Sequence, residues 1–385
     1  HLVLARLPDA PPGVKGISMF LVPKYMVAAD GSLGAKNDLR CVGIEHKLGI
    51  HGSPTCAMSF GDNGGAVGYL VGQPNRGLEY MFIMMNEARF GVGVQGVGIG
   101  ERAYQQALVF AGERVQGRDA VTGATGQPII CHPDVKRMLL TMRSRIMAMR
   151  ALALTAAGWF DIARHATDKA GAEKAKRYID LLMPVVKGWC TETCQQICYD
   201  AIQIHGGMGF VEETGIAQHY RDARIITIYE GTTGIQANDL VGRKILRENG
   251  ATLRELIAEM RGVAAELLAR ADLAALGRRL DEDIAALERA LDWMLANGRD
   301  NLAGVLAGAV PFLHLMGSVC GSWQMGRVAL AASAPAVAAA WDATYLRSLV
   351  ELARFYSHGL GVQAQAWSAA VTGAGETAGA FALEL

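Results

Sequence analysis

The spacing of apolar residues changes near residue 77, and this change limits the folds that are open to the chain. Before it, short runs of alternating or β-branched residues are separated by Gly and Pro. After it, apolar residues recur at helical spacing almost to the C-terminus. The pattern predicts a mostly α fold with a small β segment over residues 1–76. The predicted strands are Leu2–Ala5, Gly16–Val22, Cys41–Ile44, Cys56–Phe60 and Ala66–Val71.

Four helical stretches follow the β segment. They cover Gly77–Gly117, Pro133–Arg164, Lys174–His205 and Ile235–Glu248. Between its two terminal glycines the first contains six more, which are expected to let neighbouring helices approach closely. The third is expected to kink at Pro184 and to end at Gly206–Gly207. Stretches of this kind predict an antiparallel four-helix bundle over residues 77–249.

Beyond Gly250 the composition shifts to Ala, Leu, Arg and Glu in helical period, which predicts an extra helical domain over residues 250–385. Within it, Leu302–Met325 has no charged side chain and exceeds the roughly 20 residues that cross a bilayer. Pro311, His314 and four glycines dilute its hydrophobicity. The segment therefore predicts a buried helix pair and no membrane span.

Charge and cysteine content argue against several classes of function. Lys plus Arg and Asp plus Glu balance at 37 each, so no overall positive field attracts nucleic acid. Seven cysteines without paired C-x-x-C spacing indicate neither a disulfide scaffold nor a zinc ribbon. Cys190, Cys194 and Cys198 recur every four residues, which predicts a packed apolar helix face more than a metal site. The cysteines indicate a reducing compartment, and we expect a cytoplasmic protein.

The segment from Gln203 to Gln236 concentrates residues that suit a cofactor. A helix that ends in Gly206–Gly207 exposes backbone groups at close range, and the turn Gly231–Gly234 offers amide and hydroxyl donors at a helix start, which suit a phosphate. Each glycine turn alone is also typical of an ordinary helix end. Together they predict two walls of a cofactor cradle.

Glu230 lies between the β-branched run Ile225–Ile228 and Gly231, which leaves room for a ligand beside the carboxylate. Burial among apolar residues is expected to raise the pKa of this carboxyl toward about 6–7, which suits proton transfer near neutral pH. Glu230 is therefore a candidate proton abstractor. The alternative is a helix-flanking Glu that interacts with backbone amides before the last bundle helix.

Three motifs in this segment have the order and spacing of the acyl-CoA dehydrogenase family, which the chain resembles over about residues 1–249. They are Gln203-Ile204-His205-Gly206-Gly207, Arg221-Asp222-Ala223 and Tyr229-Glu230-Gly231-Thr232. Upstream, Lys47-Leu48-Gly49 with Ser53-Pro54-Thr55 resembles a strand and turn late in the family's central β-domain. The helices after Gly250 resemble the larger subgroup that includes methylthiopropionyl-CoA dehydrogenases.

The resemblance implies a flavoprotein of fatty acid metabolism that carries out FAD-dependent α,β-dehydrogenation of an acyl-CoA. Glu230 would remove the α-proton of the thioester while a hydride leaves the β-carbon for the flavin. Asn86 and Arg89 would line the acyl-CoA channel, and an exposed helix-start pair is the structural alternative. The residues implied to hold FAD are Arg114, Gln116, His132, Gln203, Gly206, Gly207, Thr232 and Gly234.

The family's dimer places part of this FAD set against the flavin of a neighbouring subunit, so the resemblance implies a homodimer or a higher oligomer. Its implied electron acceptor is electron-transferring flavoprotein, although nothing in the sequence separates this acceptor from oxygen, which an acyl-CoA oxidase would use. A second alternative is a flavin-fold binding protein of the DNA-protective type. A local basic patch for DNA would comprise Lys136, Arg137, Arg143, Arg145 and Arg150.

The chain also departs from the family. It opens on His1–Arg6, with no initiator Met, so we expect no signal peptide and a start inside a larger protein. The family's N-terminal helical domain and the strand that contacts the flavin ring have no counterpart, so residues 1–76 resemble a partial β-domain. We therefore expect the 385-residue chain alone to hold little FAD, to lack dehydrogenase activity and to self-associate.

Overall fold

The computed structural model describes residues 1–378 and divides the chain into two compact units, His1–Ala88 and Arg89 onward. It agrees with the predicted mostly α class, because strands are confined to the first unit. The predicted domain limits are 1–76, 77–249 and 250–385, and they differ from this division into two units. These domain limits stay a prediction.

The first unit consists of short antiparallel strands. Strands β1, β2 and β7 form a three-stranded sheet in the order β1-β2-β7, while β3 pairs with β4 and β5 with β6. All five predicted strands are present, β6 with the predicted ends and the other four with shifted ends. Strands β3 and β4 were not predicted, because they are short and carry no clear apolar alternation. The strands are β1 (Leu2–Arg6), β2 (Ile17–Leu21), β3 (Tyr25–Val27), β4 (Leu33–Lys36), β5 (Leu39–Ile44), β6 (Cys56–Phe60) and β7 (Tyr69–Val71).

Long helices dominate the rest of the chain. The helices are α1 (Gly77–Glu113), α2 (Pro133–His165), α3 (Lys169–His205), α4 (Ile216–Ile226), α5 (Thr233–Asn238), α6 (Ala251–Leu268), α7 (Ala274–Asn297), α8 (Leu302–Ala307), α9 (Ala309–Ala332), α10 (Pro335–Ala338), α11 (Ala343–Tyr356) and α12 (Gln363–Ala378). The first three correspond to predicted helices. The helix α3 begins earlier than predicted because Asp168 caps it by accepting hydrogen bonds from the amides of Ala170 and Gly171.

The glycines of α1 permit the close helix contact that the sequence predicts. A Cβ atom added at Gly93 would lie 2.6 Å from the side chain of Val186, and one at Gly96 would lie 3.0 Å from the carbonyl of Cys190. Both contacts are with α3. Gly91, by contrast, faces open space. Only part of the glycine series therefore serves helix packing.

The last bundle helix is less regular than predicted. Instead of one helix over Ile235–Glu248, α5 continues as a π-helical segment over Asp239–Ile245 and ends in a 3₁₀ turn over Leu246–Glu248. The helix α4 was not predicted, because the β-branched residues at its end obscure its helical period.

The helices after Gly250 share the core of the bundle. One apolar cluster runs from Val92 to Val371, and α9 packs against α2, α3 and α5. The predicted helical extension and the bundle therefore share one apolar core. The predicted buried helix pair over Leu302–Met325 is confirmed as α8 and α9, and most of α9 is buried. By length and composition alone, Pro133–His165 could cross a membrane.

Candidate active site

A strained turn between α4 and α5 carries Glu230. Glu230 and Gly231 both have left-handed backbone, with φ of 56° and 94°. Glycine adopts this region freely, but a residue with a Cβ atom does so at a cost, and such residues cluster at functional sites. The turn thus holds the Glu230 side chain in a fixed and uncommon direction.

Side chains from α3 and α5 fix this turn. The Lys187 ammonium donates a hydrogen bond to the Gly231 carbonyl at 2.6 Å, and the Gln236 amide nitrogen donates to the Glu230 carbonyl at 2.9 Å. Thr232 caps α5, since its hydroxyl accepts from the Ile235 amide at 3.4 Å. Because Thr232 performs the capping, the helix-flanking alternative for Glu230 loses its support.

The surroundings of the turn are rich in buried charge. Arg89 and Asp239 form an ion pair at 2.8 Å, and their side chains are only 11% and 7% exposed. The Glu192 carboxylate accepts a hydrogen bond from Thr233 at 2.5 Å. Burial lowers the pKa of Lys187 to about 8; the nearby Arg89 acts in the same direction, whereas Glu192 and Glu230 oppose it. Glu230 therefore lies near buried charged side chains of both signs.

Sequence reasoning did not find Lys187, Glu192, Gln236 or Asp239. A signal was available for Lys187, which interrupts the apolar stretch from Leu181 to Trp189 and must be buried if that helix face is buried. Arg89 was predicted, but the alternative of an exposed helix-start pair is wrong for it, because its side chain is buried against Asp239. Asn86 is half-buried on α1.

A second group of predicted residues gathers where α1 ends and α2 begins. The Ile129 amide donates to the Arg114 carbonyl at 2.7 Å, and the His132 ring nitrogen Nε2 lies 2.9 Å from the Gln116 carbonyl. The Arg114 guanidinium donates to the Gln116 side chain at 3.3 Å. The structure thus brings Arg114, Gln116 and His132 together.

Gln203, Gly206 and Gly207 lie at the same end of the bundle, where α3 ends. The rings of Phe110 in α1 and His205 in α3 stack with centroids 4.2 Å apart, which joins the two helix ends. A Cβ atom added at Gly206 or Gly207 would meet nothing within 4 Å. These glycines therefore leave open space beside the backbone.

The two groups do not meet within one chain. Thr233, next to Thr232 and Gly234, contacts Glu192, which precedes Gln203 by eleven residues on the unbroken helix α3. At 1.5 Å per residue this separates them by roughly 16 Å along the helix axis. The two walls of a cofactor cradle therefore stay a prediction, with this separation between them in one chain.

The three regularly spaced cysteines of α3 pack into the apolar core. Cys190, Cys194 and Cys198 are buried in the core, and burial raises the pKa of the Cys190 thiol, which disfavours the thiolate that metals bind. Within residues 1–378, no three His, Cys, Asp or Glu side chains are placed to hold a metal ion.

Most of the possible DNA patch is paired with carboxylates. Arg137 contacts Asp134 at 2.7 Å and Arg150 contacts Glu101 at 2.6 Å. Arg145 lies 3.5 Å from Asp200. Pairing of this kind removes charge that phosphates would need.

Two protein families match consecutive parts of the chain, and individual relatives match nearly all of it. Residues 75–245 match the family described as acyl-CoA dehydrogenase, C-terminal domain, and residues 256–382 match acetyl-CoA dehydrogenase C-terminal like. A 3-methylmercaptopropionyl-CoA dehydrogenase of Ruegeria pomeroyi is 48% identical over 98% of the chain and 64% of its own length. A broad-specificity linear acyl-CoA dehydrogenase, FadE5, of Mycobacterium tuberculosis is 34% identical over 93% of the chain and 61% of its own length.

The fold matches as well. The crystal structure of an acyl-CoA dehydrogenase complexed with FAD from Bacillus anthracis superposes with a TM-score of 0.72 at 20% identity, over 95% of this chain and 60% of that one. The chain spans about three fifths of the length of these relatives. Its two matched families, over residues 75–245 and 256–382, and its sequence relatives show that the chain belongs to the acyl-CoA dehydrogenase family.

Proposed function

We propose that this chain is the part of an FAD-dependent acyl-CoA dehydrogenase that carries the proton-abstracting base, Glu230. The supporting observation is the strained turn, in which a carboxylate-bearing residue has φ of 56° and both neighbouring carbonyls are held by buried side chains. Strain of this kind persists only where the surroundings enforce it. Family membership supplies the reaction in which such a base is needed.

The proposed reaction removes two hydrogens from the acyl group. The Glu230 carboxylate takes the α-proton of the thioester, and the electrons of that C–H bond form the new α,β double bond. Bound FAD supplies the acceptor for the hydride that leaves the β-carbon. Glu230 is half-buried, so water is partly excluded from its carboxylate, which favours proton transfer from carbon.

The residues present fit an FAD cofactor. The exposed Arg114 guanidinium can pair with a phosphate, and the amides of Gln116 and Gln203 can bind ribose or base. Gly206 and Gly207 leave open space, and the start of α5 at Thr232 and Gly234 provides backbone donors. His132 lies beside Gln116 in the group where α1 ends and α2 begins.

The separation of the two groups supports the proposal of a homodimer. Because roughly 16 Å of helix α3 lies between them in one chain, we propose that the α5 start of one subunit and the bundle end of a second subunit hold the same FAD. The bundle end supports this arrangement, since Phe210 is 90% exposed beside Gly206 and Gly207 and Met208 is also exposed. Exposed apolar residues of this kind mark interaction surfaces.

We propose an acyl-CoA as substrate and electron-transferring flavoprotein as acceptor. The name of the 48% identical relative makes 3-methylmercaptopropionyl-CoA the first acyl group to test, and the FadE5 relative extends the panel to linear acyl-CoAs. The paired arginines of α2 leave the DNA-protective alternative without support.

The experiment follows flavin absorbance in the protein at its natural length. Under anaerobic conditions, we expect bleaching on addition of 3-methylmercaptopropionyl-CoA or short linear acyl-CoAs. Reoxidation by electron-transferring flavoprotein should then outpace reoxidation by air-saturated buffer; the reverse order would identify an oxidase. A flavin that no acyl-CoA bleaches would contradict the proposed function.

A further inference from the structure

Lys187 stands out among the buried groups of the second unit. Its side chain is fully buried, with 0% exposure, in the middle of α3. Within residues 1–378, the hydrogen bond to the Gly231 carbonyl at 2.6 Å is the one that its ammonium makes. Burial of an ammonium group is costly, and a methionine of similar length would occupy an apolar position without that cost. A lysine here therefore needs a reason beyond packing.

The contact of Lys187 determines the direction of Glu230. The Gly231 carbonyl belongs to the second of two consecutive left-handed residues, and the Gln236 amide holds the carbonyl of the first at 2.9 Å. With both carbonyls held, the peptide plane between Glu230 and Gly231 cannot rotate freely. The backbone then fixes the direction in which the Glu230 side chain leaves the turn.

The charges around Lys187 act on Glu230 as well. The ammonium faces Glu192 on its own helix, Glu230 on the turn and Arg89 on α1, and Arg89 is already paired with Asp239. Burial lowers the pKa of Lys187 to about 8, so the group is mainly cationic at neutral pH. The positive charge of Lys187 therefore attracts the Glu230 carboxylate as well as the Gly231 carbonyl.

We infer that Lys187 is a positioning residue for proton abstraction, which holds the Glu230–Gly231 turn through the Gly231 carbonyl and so fixes the direction of the Glu230 carboxylate. The inference rests on the proposed role of Glu230. It differs from a purely structural role because it predicts a change in proton transfer at the substrate, and not only a change in stability.

The test measures proton transfer without hydride transfer, in the FAD-loaded protein at its natural length. An acyl-CoA analogue with sulfur at the β position has α-protons but no hydrogen at that position to lose as hydride. Exchange of its α-protons with D₂O, followed by mass spectrometry, reports on the base alone. We expect Lys187→Met to slow this exchange at least tenfold, with analogue affinity within about threefold of the unsubstituted protein.

Two further variants complete the comparison. Lys187→Arg retains both the donor and the charge and should exchange at least threefold faster than Lys187→Met. Lys176→Met, an exposed lysine on the same helix, should leave exchange unchanged.

The outcomes separate the inference from the proposed function. If the unsubstituted protein exchanges no α-proton, the proposed function is wrong. If it exchanges and Lys187→Met matches it in rate, the positioning role is wrong and the proposed function stands. If Lys187→Met does not fold, Lys187→Gln takes its place, and an unchanged exchange rate in that variant would likewise overturn the inference.

Discussion

Glu230 and Gly231 concentrate strain where the proposed chemistry occurs. A left-handed non-glycine residue costs about 1–2 kcal/mol, because its Cβ atom approaches the following carbonyl. At Gly231 a side chain is excluded for a second reason, since an added Cβ would lie 2.8 Å from the Gln236 amide nitrogen. Hydrogen bonds from Lys187 and Gln236 offset this cost and keep the turn in one conformation.

The sequence identifies Glu230 but not the conformation that it adopts. The motif Tyr229-Glu230-Gly231-Thr232 carries the resemblance, and its glycine suggests a turn. The Gly231 carbonyl is held by Lys187, which lies 43 residues before Glu230 in the chain. Local sequence patterns do not encode contacts at such separations, so the burial of Lys187 could be predicted from its apolar neighbours, but its contact with the turn could not.

The ion pair between Arg89 and Asp239 is expected to be important for stability. Arg89→Met leaves the Asp239 carboxylate buried without its main partner, and removal of one partner of a buried pair costs about 3–5 kcal/mol. Urea unfolding should show this loss in the free energy of unfolding. The matched control is Arg177→Met, which removes an exposed pair with Glu255 and should cost less than about 1 kcal/mol. Equal losses in the two variants would contradict the assignment.

Helix boundaries followed the sequence where the helical period is long. The helices α1, α2 and α3 were predicted because apolar residues recur over many turns, and Gly206 marks the end of α3. The π-helical segment Asp239–Ile245 was not predicted, because its extra residue per turn depends on tertiary contacts, among them that of Asp239 with Arg89. Irregular helices of this kind are frequent at functional sites.

The helices α7 and α9 are joined by a buried polar contact that titrates. Asp283 is fully buried and accepts hydrogen bonds from Arg279 and from Ser322 at 2.8 Å. Burial raises the pKa of Asp283 to about 6, although Arg279 and Ser322 oppose the shift. The folded state therefore retains a proton that the unfolded state loses at lower pH. Stability from this group falls as pH rises from about 4 to about 6.

The variant Asp283→Asn tests this pH dependence. The compared quantity is the free energy of unfolding of the unsubstituted protein minus that of the variant. This difference should fall by about 2 kcal/mol between pH 4 and pH 7, because asparagine does not titrate. Urea unfolding at four pH values measures the difference. A difference that stays constant, or rises with pH, would show that Asp283 is ionised in the folded protein throughout this range.

The residues predicted to hold FAD occur as two groups on the helical part of the chain. The spacing of the motifs predicts which residues belong to the site, but it does not show that α3 separates the two groups by roughly 16 Å. Likewise, the composition shift after Gly250 predicts the extra helical domain that residues 256–382 match, but not that its helix α9 packs into the bundle core. Neither feature is readable from local periodicity, because both depend on which helix faces meet.

The exposed apolar residues at the bundle end should support dimer formation. Phe210→Ser is expected to raise the dimer dissociation constant at least tenfold in sedimentation velocity and to reduce bound FAD, because both depend on the same end of the bundle. Trp341→Ser changes another exposed aromatic residue and should leave both quantities unchanged. A Phe210→Ser protein with unaltered association and FAD content would refute the proposed interface.

The 385-residue chain on its own is expected to bind FAD weakly. It spans about three fifths of its relatives, and each charge-assisted hydrogen bond that is lost can weaken binding by about 1.5–3 kcal/mol. Two such losses correspond to roughly a hundredfold or more in affinity. Absorbance at 450 nm and size-exclusion chromatography should show little flavin and self-association. A yellow, active monomer would contradict this expectation.

The role of Glu230 is tested most directly by Glu230→Gln in the protein at its natural length. The amide preserves the shape of the side chain but cannot accept the α-proton, so FAD and acyl-CoA should still bind while anaerobic flavin reduction falls by at least a thousandfold. Stopped-flow absorbance with 3-methylmercaptopropionyl-CoA, or the best substrate of the panel, gives the rate. Reduction of the flavin by Glu230→Gln at the rate of the unsubstituted protein would show that another group removes the proton.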